Sequence, residues 1–215
     1  MNGARRAVFA FTCVVAATAF AGEDEQVASA AANTKSSWDF AITAYPTIVR
    51  NGENYTSAIV IADRGPLHLE ARYNYESVGA RSAFVGWTFS AGEAVTWKLT
   101  PLLGGAWGTT QAFVPGLEAS LAWRRLDFYV EAEYVLDNGE RNDSYLYAWS
   151  ELGFRPVEWL RIGLAAQRTR AYGGDRELQR GPFAQVTWGN VTFGGFWFNP
   201  GSRDQVFVGS IGATF

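Results

Sequence analysis

The sequence predicts an all-β chain, a transmembrane up-and-down antiparallel β-barrel of about 12 strands. Three observations carry this. Apolar and polar residues alternate with period 2 over segments of about 9–13 residues, the length a tilted strand needs to cross a bilayer. The connections between segments alternate between tight turns and longer, more polar loops. Aromatic residues gather at segment ends rather than at segment centres.

The segments are 37–49, 54–63, 66–76, 80–90, 94–104, 112–123, 126–136, 143–155, 158–171, 178–188, 191–199 and 204–215. Tight connections fall at 63–65, 90–93, 124–125, 156–158 and 189–190, and longer ones at 51–54, 104–110, 137–143, 173–177 and 199–204. Tight turns belong on the periplasmic side of such a barrel, and an even strand number brings both ends of the barrel to that side. Outward-parity Phe89, Trp97, Trp123, Phe128, Phe154, Trp188 and Phe193, with Trp38 and Phe215, form a lower aromatic girdle near the tight turns. Trp159 joins them if its turn shifts parity. Tyr75, Tyr134, Tyr172 and Trp197 form the upper girdle. Amphipathic rings favour these levels because they place an apolar body and a polar edge at the membrane–water boundary. Pro46, Pro101, Pro115 and Pro182 lie within strands, each at the cost of a ladder hydrogen bond; all are expected toward the longer-loop end.

Residues 66–75, PLHLEARYNY, show the two faces. Leu67, Leu69, Ala71, Tyr73 and Tyr75 alternate with His68, Glu70, Arg72 and Asn74. Strands 80–90, 126–136 and 158–171 repeat the pattern with uncharged outer faces around their centres. Arg168 and Arg170 share the outward parity of 158–171, but at its loop end, where a bulge could turn them or lipopolysaccharide phosphates could meet them. A soluble sandwich alternates in the same way. The aromatic ends and the rhythm of the turns favour lipid outside and polar groups inside.

The N-terminus agrees. Met1–Arg6 is basic, Ala7–Phe20 is apolar, and Ala19-Phe20-Ala21 is a small-x-small cleavage site. Residues 1–21 read as a signal peptide and 22–36, rich in Ala, Ser and Glu, as a disordered periplasmic lead-in. The barrel is then 37–215. Loss of Arg5 and Arg6 takes the formal charge of −3 to −5, which argues against nucleic acid as a partner. With Cys13 removed and His68 the single histidine, no cofactor or metal is expected.

The final stretch QVFVGSIGATF places Phe207, Gly209, Ile211, Ala213 and Phe215 on one parity. It resembles the C-terminal signal of Gram-negative outer-membrane β-barrel proteins. That resemblance implies residence in the bacterial outer membrane, contact with outer-membrane lipid and lipopolysaccharide, and insertion by the barrel-assembly machinery. A monomer is expected, and no subfamily is indicated.

Inside the wall, parity gathers Glu118, Glu131 and Glu151 on three neighbouring strands, with Glu133 a step above. Glu70, Arg72 and Lys98 lie to one side and Arg161 to the other. These eight residues are the candidate pore lining. A field across a low-dielectric lumen selects and orients solutes, so the leading reading is a narrow porin-like channel for small polar or ionic solutes. The alternative is a non-transport structural or surface-contact barrel, its lumen closed by ion pairs such as Glu118–Lys98 and Glu151–Arg161. A lipid-modifying enzyme is the third reading. It would need a nucleophile beside His68, and none is evident, so no catalytic residue is assigned; His68 is expected to bond Asp39 or Glu70. No segment is long enough to be an obvious plug.

Overall fold

A computed structural model describes residues 37–50, 52–139, 144–171 and 176–215. The segments expected to be signal peptide and lead-in, and Tyr172 of the upper girdle, lie outside the described residues. Thirteen strands run β1 (Asp39–Val49), β2 (Tyr55–Arg64), β3 (Leu67–Tyr73), β4 (Arg81–Trp87), β5 (Phe89–Ala91), β6 (Val95–Trp107) and β7 (Ala112–Trp123), then β8 (Leu126–Asp137), β9 (Tyr145–Val157), β10 (Leu160–Ala171), β11 (Arg176–Trp188), β12 (Val191–Phe198) and β13 (Val206–Thr214). Each pairs antiparallel with its neighbour in the chain, except that β4 continues into β5. β1 pairs with β13 and β4 with β6, so the sheet closes on itself. Closure leaves no unpaired edge, which is the condition for backbone to sit in hydrocarbon.

β4 and β5 form one stave. Gly86 faces Leu102 and Phe89 faces Leu99 in unbroken register along β6. The chain is therefore a 12-strand barrel, with one wall strand interrupted. The interruption has a chemical cause: Pro101 stands at the gap and has no N–H to give the ladder. The backbone N–H of Thr88 goes instead to the Pro66 carbonyl at 2.7 Å. The other prolines mark gaps too. The β1–β13 ladder skips Tyr45 and Pro46, the β7–β8 ladder skips Val114 and Pro115, and the β11–β12 ladder begins only at Phe183, just past Pro182. Pro101 and Pro182 lie at mid-strand, not near the longer loops, so the wall tolerates proline wherever one ladder is open.

The outer face is apolar. Val60, Val85, Leu103, Leu117, Leu121, Leu152, Leu164 and Ile211 are all exposed. The lower girdle is in place, with Trp38, Phe89, Trp97, Trp123, Phe128, Phe154, Trp188, Phe193 and Phe215 all exposed. Trp159 joins it because the β9–β10 register shifts between Leu160 and Ile162, the parity change its turn needed. Tyr73, Trp107, Phe113, Trp197 and Phe207 ring the other end. Arg168 pairs with Ala148 and Leu178 in continuous register, so no bulge turns it inward.

The tight turns use left-handed backbone at Gly65 (φ 58°), Arg124 (φ 55°) and Gly189 (φ 58°). The departure from expectation comes at the end of β3. The strand stops at Tyr73, and Asn74 takes φ 54°. Asn74 Oδ1 accepts from the Gly79 N–H at 2.7 Å, and its Nδ2 donates to the Thr56 carbonyl at 2.9 Å. Ser57 Oγ donates to the Asn74 carbonyl. These bonds fold residues 74–80 into the barrel mouth, where Tyr75, Glu76 and Ala80 are buried. Tyr75 thus leaves the outer girdle for the lumen, and a short plug exists where none was expected.

Leu152 sits mid-strand on the lipid face, opposite Phe128 and Leu164. Leu152→Arg is expected to destabilise the refolded barrel by about 2–4 kcal/mol in denaturant titrations from lipid vesicles. A loss below about 0.5 kcal/mol, within the range of ordinary surface substitutions, would remove Leu152 from the hydrocarbon midplane.

Candidate functional site

The lumen is built by inward parity. β3 delivers His68, Glu70 and Arg72; β7 delivers Glu118; β8 delivers Asp127, Glu131 and Glu133; β9 delivers Trp149 and Glu151; β10 delivers Arg161. Register sets Glu118 directly opposite Glu131, while Glu151 lies a step lower, opposite Tyr129.

Arg72 is the centre of the upper network. Its Nε and Nη2 donate to the two oxygens of Glu70 at 2.7 and 2.9 Å. Its Nη1 reaches Glu133 Oε1 at 2.5 Å and Glu131 Oε1 at 3.1 Å. Tyr75 Oη donates to the same Glu131 oxygen at 2.5 Å. The guanidinium carbon lies 4.1 Å from the Tyr75 ring centre and 4.2 Å from that of Phe84, so it is held between two π faces. β3 and β8 are not neighbours; β4, β6 and β7 stand between them. The contact is a chord across the barrel.

Apolar side chains fill the space on both sides of this chord. On one side Phe84, Leu102, Ala106, Ala112, Val114 and Val135 pack together. On the other, Tyr45, Ile59, Trp149, Phe183, Phe196 and Val208 belong to a larger cluster. Trp149 meets Phe196 and Phe198 edge-on at 5.4 and 5.2 Å. The interior is therefore not polar all round: β1 and β11–β13 give it an aromatic and aliphatic wall. Gly104 allows this packing, since a Cβ there would meet the Phe84 ring at 2.2 Å. Arg72, Glu131, Trp149 and Phe196 have no exposed side chain or almost none, and they close the upper lumen.

Below the chord lies a second network. Arg161 pairs with Asp127 and with Glu151, and donates to Gln185 Oε1 at 2.9 Å. Trp149 Nε1 donates to Glu151 Oε1 at 2.9 Å. The expected Glu151–Arg161 pair is present. Asp127, absent from the candidate lining, is a main partner of Arg161. Gly153 makes room for that pair, because a Cβ would come within 2.5 Å of Arg161 Nε and 2.6 Å of Asp127 Oδ1.

A cavity of about 590 Å³ fills the tight-turn half of the barrel. It runs from a rim at Gly65, Asn190 and Phe215 up to His68, Thr100, Glu118 and Glu151, with Lys98 on its wall. Lys98 is exposed there, while Glu118 turns toward His68 and Glu70. His68 Nδ1 bonds Asp63 at 2.7 Å, the residue opposite it on β2, rather than Asp39. Its Nε2 lies 3.7 Å from Glu70 Oε2. Among the described residues no hydroxyl hydrogen-bonds to that nitrogen.

At the mouth, Tyr145 Oη donates to the Glu76 carbonyl at 2.7 Å. The Glu76 carboxylate is buried and has no hydrogen-bond partner among the described residues. Burial pushes its pKa above the ordinary carboxylate value, and nearby Arg72 only partly offsets this.

Fold and interior together define a transmembrane β-barrel with a charged, side-chain-filled upper lumen and an open lower one. Among solved structures the chain is similar to the KdgM porin, with a TM-score of 0.62 at 9% sequence identity, over 81% of this chain and 99% of that one. It is likewise similar to the KdgM porin in complex with disordered oligogalacturonate, with a TM-score of 0.61 at 9% identity and the same coverage. No protein-family model matches the sequence, and no curated protein matches it.

Two outcomes are expected of these networks. Arg72→Met leaves Glu131 and Glu133 buried without their cation, and it should lower unfolding stability by about 3–5 kcal/mol. Adding Glu131→Gln and Glu133→Gln should restore part of that loss. For Glu76, a folded-state pKa above the unfolded one means that the folded mouth holds a proton the unfolded chain gives up first. Its contribution is complete below the unfolded pKa and is lost as pH rises through the folded one. Amide exchange in residues 74–80 should therefore accelerate as pH rises from about 4, beyond its intrinsic pH dependence, and Glu76→Gln should abolish the excess.

Proposed function

We propose that the chain is a bacterial outer-membrane channel for small polar or ionic solutes, shut in this conformation by the Arg72 chord. The observation that carries the reading is the division of the lumen. A solvent-sized charged cavity leads from the tight-turn end to a plug made largely of side chains, which can rearrange while the wall stays fixed. The fold that this chain shares with the KdgM porin supports a pore. So do the N-terminal signal pattern and the lipid-facing belt, which suit outer-membrane residence. The porin-like fold favours a non-enzyme, and among the described residues no hydroxyl hydrogen-bonds to His68 Nε2.

The interior charge narrows the solute. Glu70, Glu118, Glu131, Glu133, Glu151 and Asp127 outnumber Arg72, Arg161, Arg155 and Lys98. Low-dielectric walls focus that excess, so small cations and neutral polar solutes are favoured over polyanions. The oligogalacturonate in complex with the similar porin carries carboxylates, a charge that an acidic lumen would disfavour. The complete burial of Arg72 and Glu131 favours a second reading, a non-transport barrel with a permanently sealed interior.

Planar-bilayer recording separates them. Wild-type protein should give small, infrequent, cation-selective openings. Arg72→Ala should raise open probability several-fold, and Glu131→Gln with Glu151→Gln should weaken the selectivity. Silence from both wild type and Arg72→Ala would leave the sealed barrel as the function.

A further inference from the structure

We propose that His68, Glu118 and Glu70 form a site for one first-row divalent metal ion of the Zn²⁺ type at the head of the lower cavity. The reading is independent of whether the barrel conducts. Count and spacing in the sequence argue against a metal, because there is one histidine and no local ligand motif. The barrel overrides this by directing Glu118 of β7 across the lumen toward His68 and Glu70 of β3. One donor atom from each of the three residues lies within 4.8 Å of the others. Tetrahedral metal–ligand bonds of about 2.0–2.2 Å place donors about 3.3–3.6 Å apart, so the three side chains would draw together by roughly 1 Å around an ion.

Two buried atoms lack what such an ion would provide. His68 is 5% exposed and Glu118 9%, yet His68 Nε2 and Glu118 Oε1 have no hydrogen-bond partner. Leaving buried polar atoms unsatisfied is costly, and protein interiors seldom do so without a reason. The other imidazole nitrogen is already engaged, since Nδ1 bonds Asp63 at 2.7 Å. A carboxylate on one ring nitrogen fixes the ring and makes the other a better ligand, the arrangement that supports metal-bound histidines. Glu70 is fixed in the same way by Arg72, with Oε2 turned toward Nε2 at 3.7 Å.

Charge points the same way. Asp63, Glu70, Glu118, Glu131 and Glu133 surround this part of the lumen, with Arg72 the guanidinium among them. A divalent ion would balance the remaining acid. Mixed nitrogen and oxygen donors suit a borderline ion better than Mg²⁺ or Ca²⁺, which prefer oxygen alone. Both His68 and Glu118 line the cavity, so an ion reaches the site from the tight-turn end.

The test uses the full folded barrel in detergent, stripped with a chelator and titrated calorimetrically with Zn²⁺. Co²⁺ serves as a visible-absorption probe of the ligand set. One equivalent of Zn²⁺ should bind saturably. His68→Ala and Glu118→Gln should each weaken binding by at least tenfold, and Asp63→Asn by about 10–100-fold, the usual cost of losing an outer-shell partner. Heat-modifiable migration in gels confirms that each variant is folded, and Glu118→Gln carries the test if His68→Ala does not fold. No saturable binding by the wild type, or equal binding by the wild type and both ligand variants, overturns the site.

Discussion

The interior of this barrel is organised by one contact, the guanidinium of Arg72 held by Glu70 on its own strand and by Glu131 and Glu133 across the lumen. A charge withdrawn from water carries a desolvation cost of several kcal/mol, so its partners must satisfy it fully or the site fails. Here four hydrogen-bond or ion-pair contacts and two aromatic faces surround one side chain. The chord also sets the rest of the packing. With β3 tied to β8, the upper lumen splits into two spaces, and each is filled by apolar side chains. Buried charge of this kind adds little net stability over a well-packed apolar plug.

The wall imposes a second constraint. Every strand must spend its hydrogen bonds on its neighbours, and four prolines sit in a sheet that cannot afford edges. The structure resolves this by putting each proline at a gap in one ladder while the other ladder runs on. Pro101 shows the consequence most plainly, since it separates β4 from β5 without shifting the register of the stave.

The lower cavity and the upper plug differ in kind. Below, Arg161, Asp127 and Glu151 line a space reached from the tight-turn rim, and His68 and Glu118 stand at its head with Glu70 beside them. Above, the loop 74–80 leans in over the chord through Tyr75 and Glu76. Transport would have to pass the chord, whereas metal binding would not.

The sequence by itself determined the barrel. Period-2 alternation, alternating turn lengths and end-placed aromatics are local patterns, and lipid outside with a closed sheet is the physical state that satisfies them together. That was enough to place Glu70, Arg72, Glu118, Glu131, Glu133, Glu151 and Arg161 in the lumen, because parity alone assigns a face. Only the tertiary structure decided which of them meet. Barrel curvature and strand stagger fix which heights face each other, and neither is written in any one segment. Hence Arg72 reached Glu131 and Glu133 across the lumen, and Glu118 turned to His68 while Lys98 stayed on the cavity wall. The inward turn at 74–80 was hidden for a similar reason. Continued alternation carried β3 outward through Tyr75, but the left-handed Asn74 and its bonds to Thr56 and Gly79 end the strand two residues sooner. Those partners lie on β2 and in the loop beyond, and only the folded barrel brings them to Asn74.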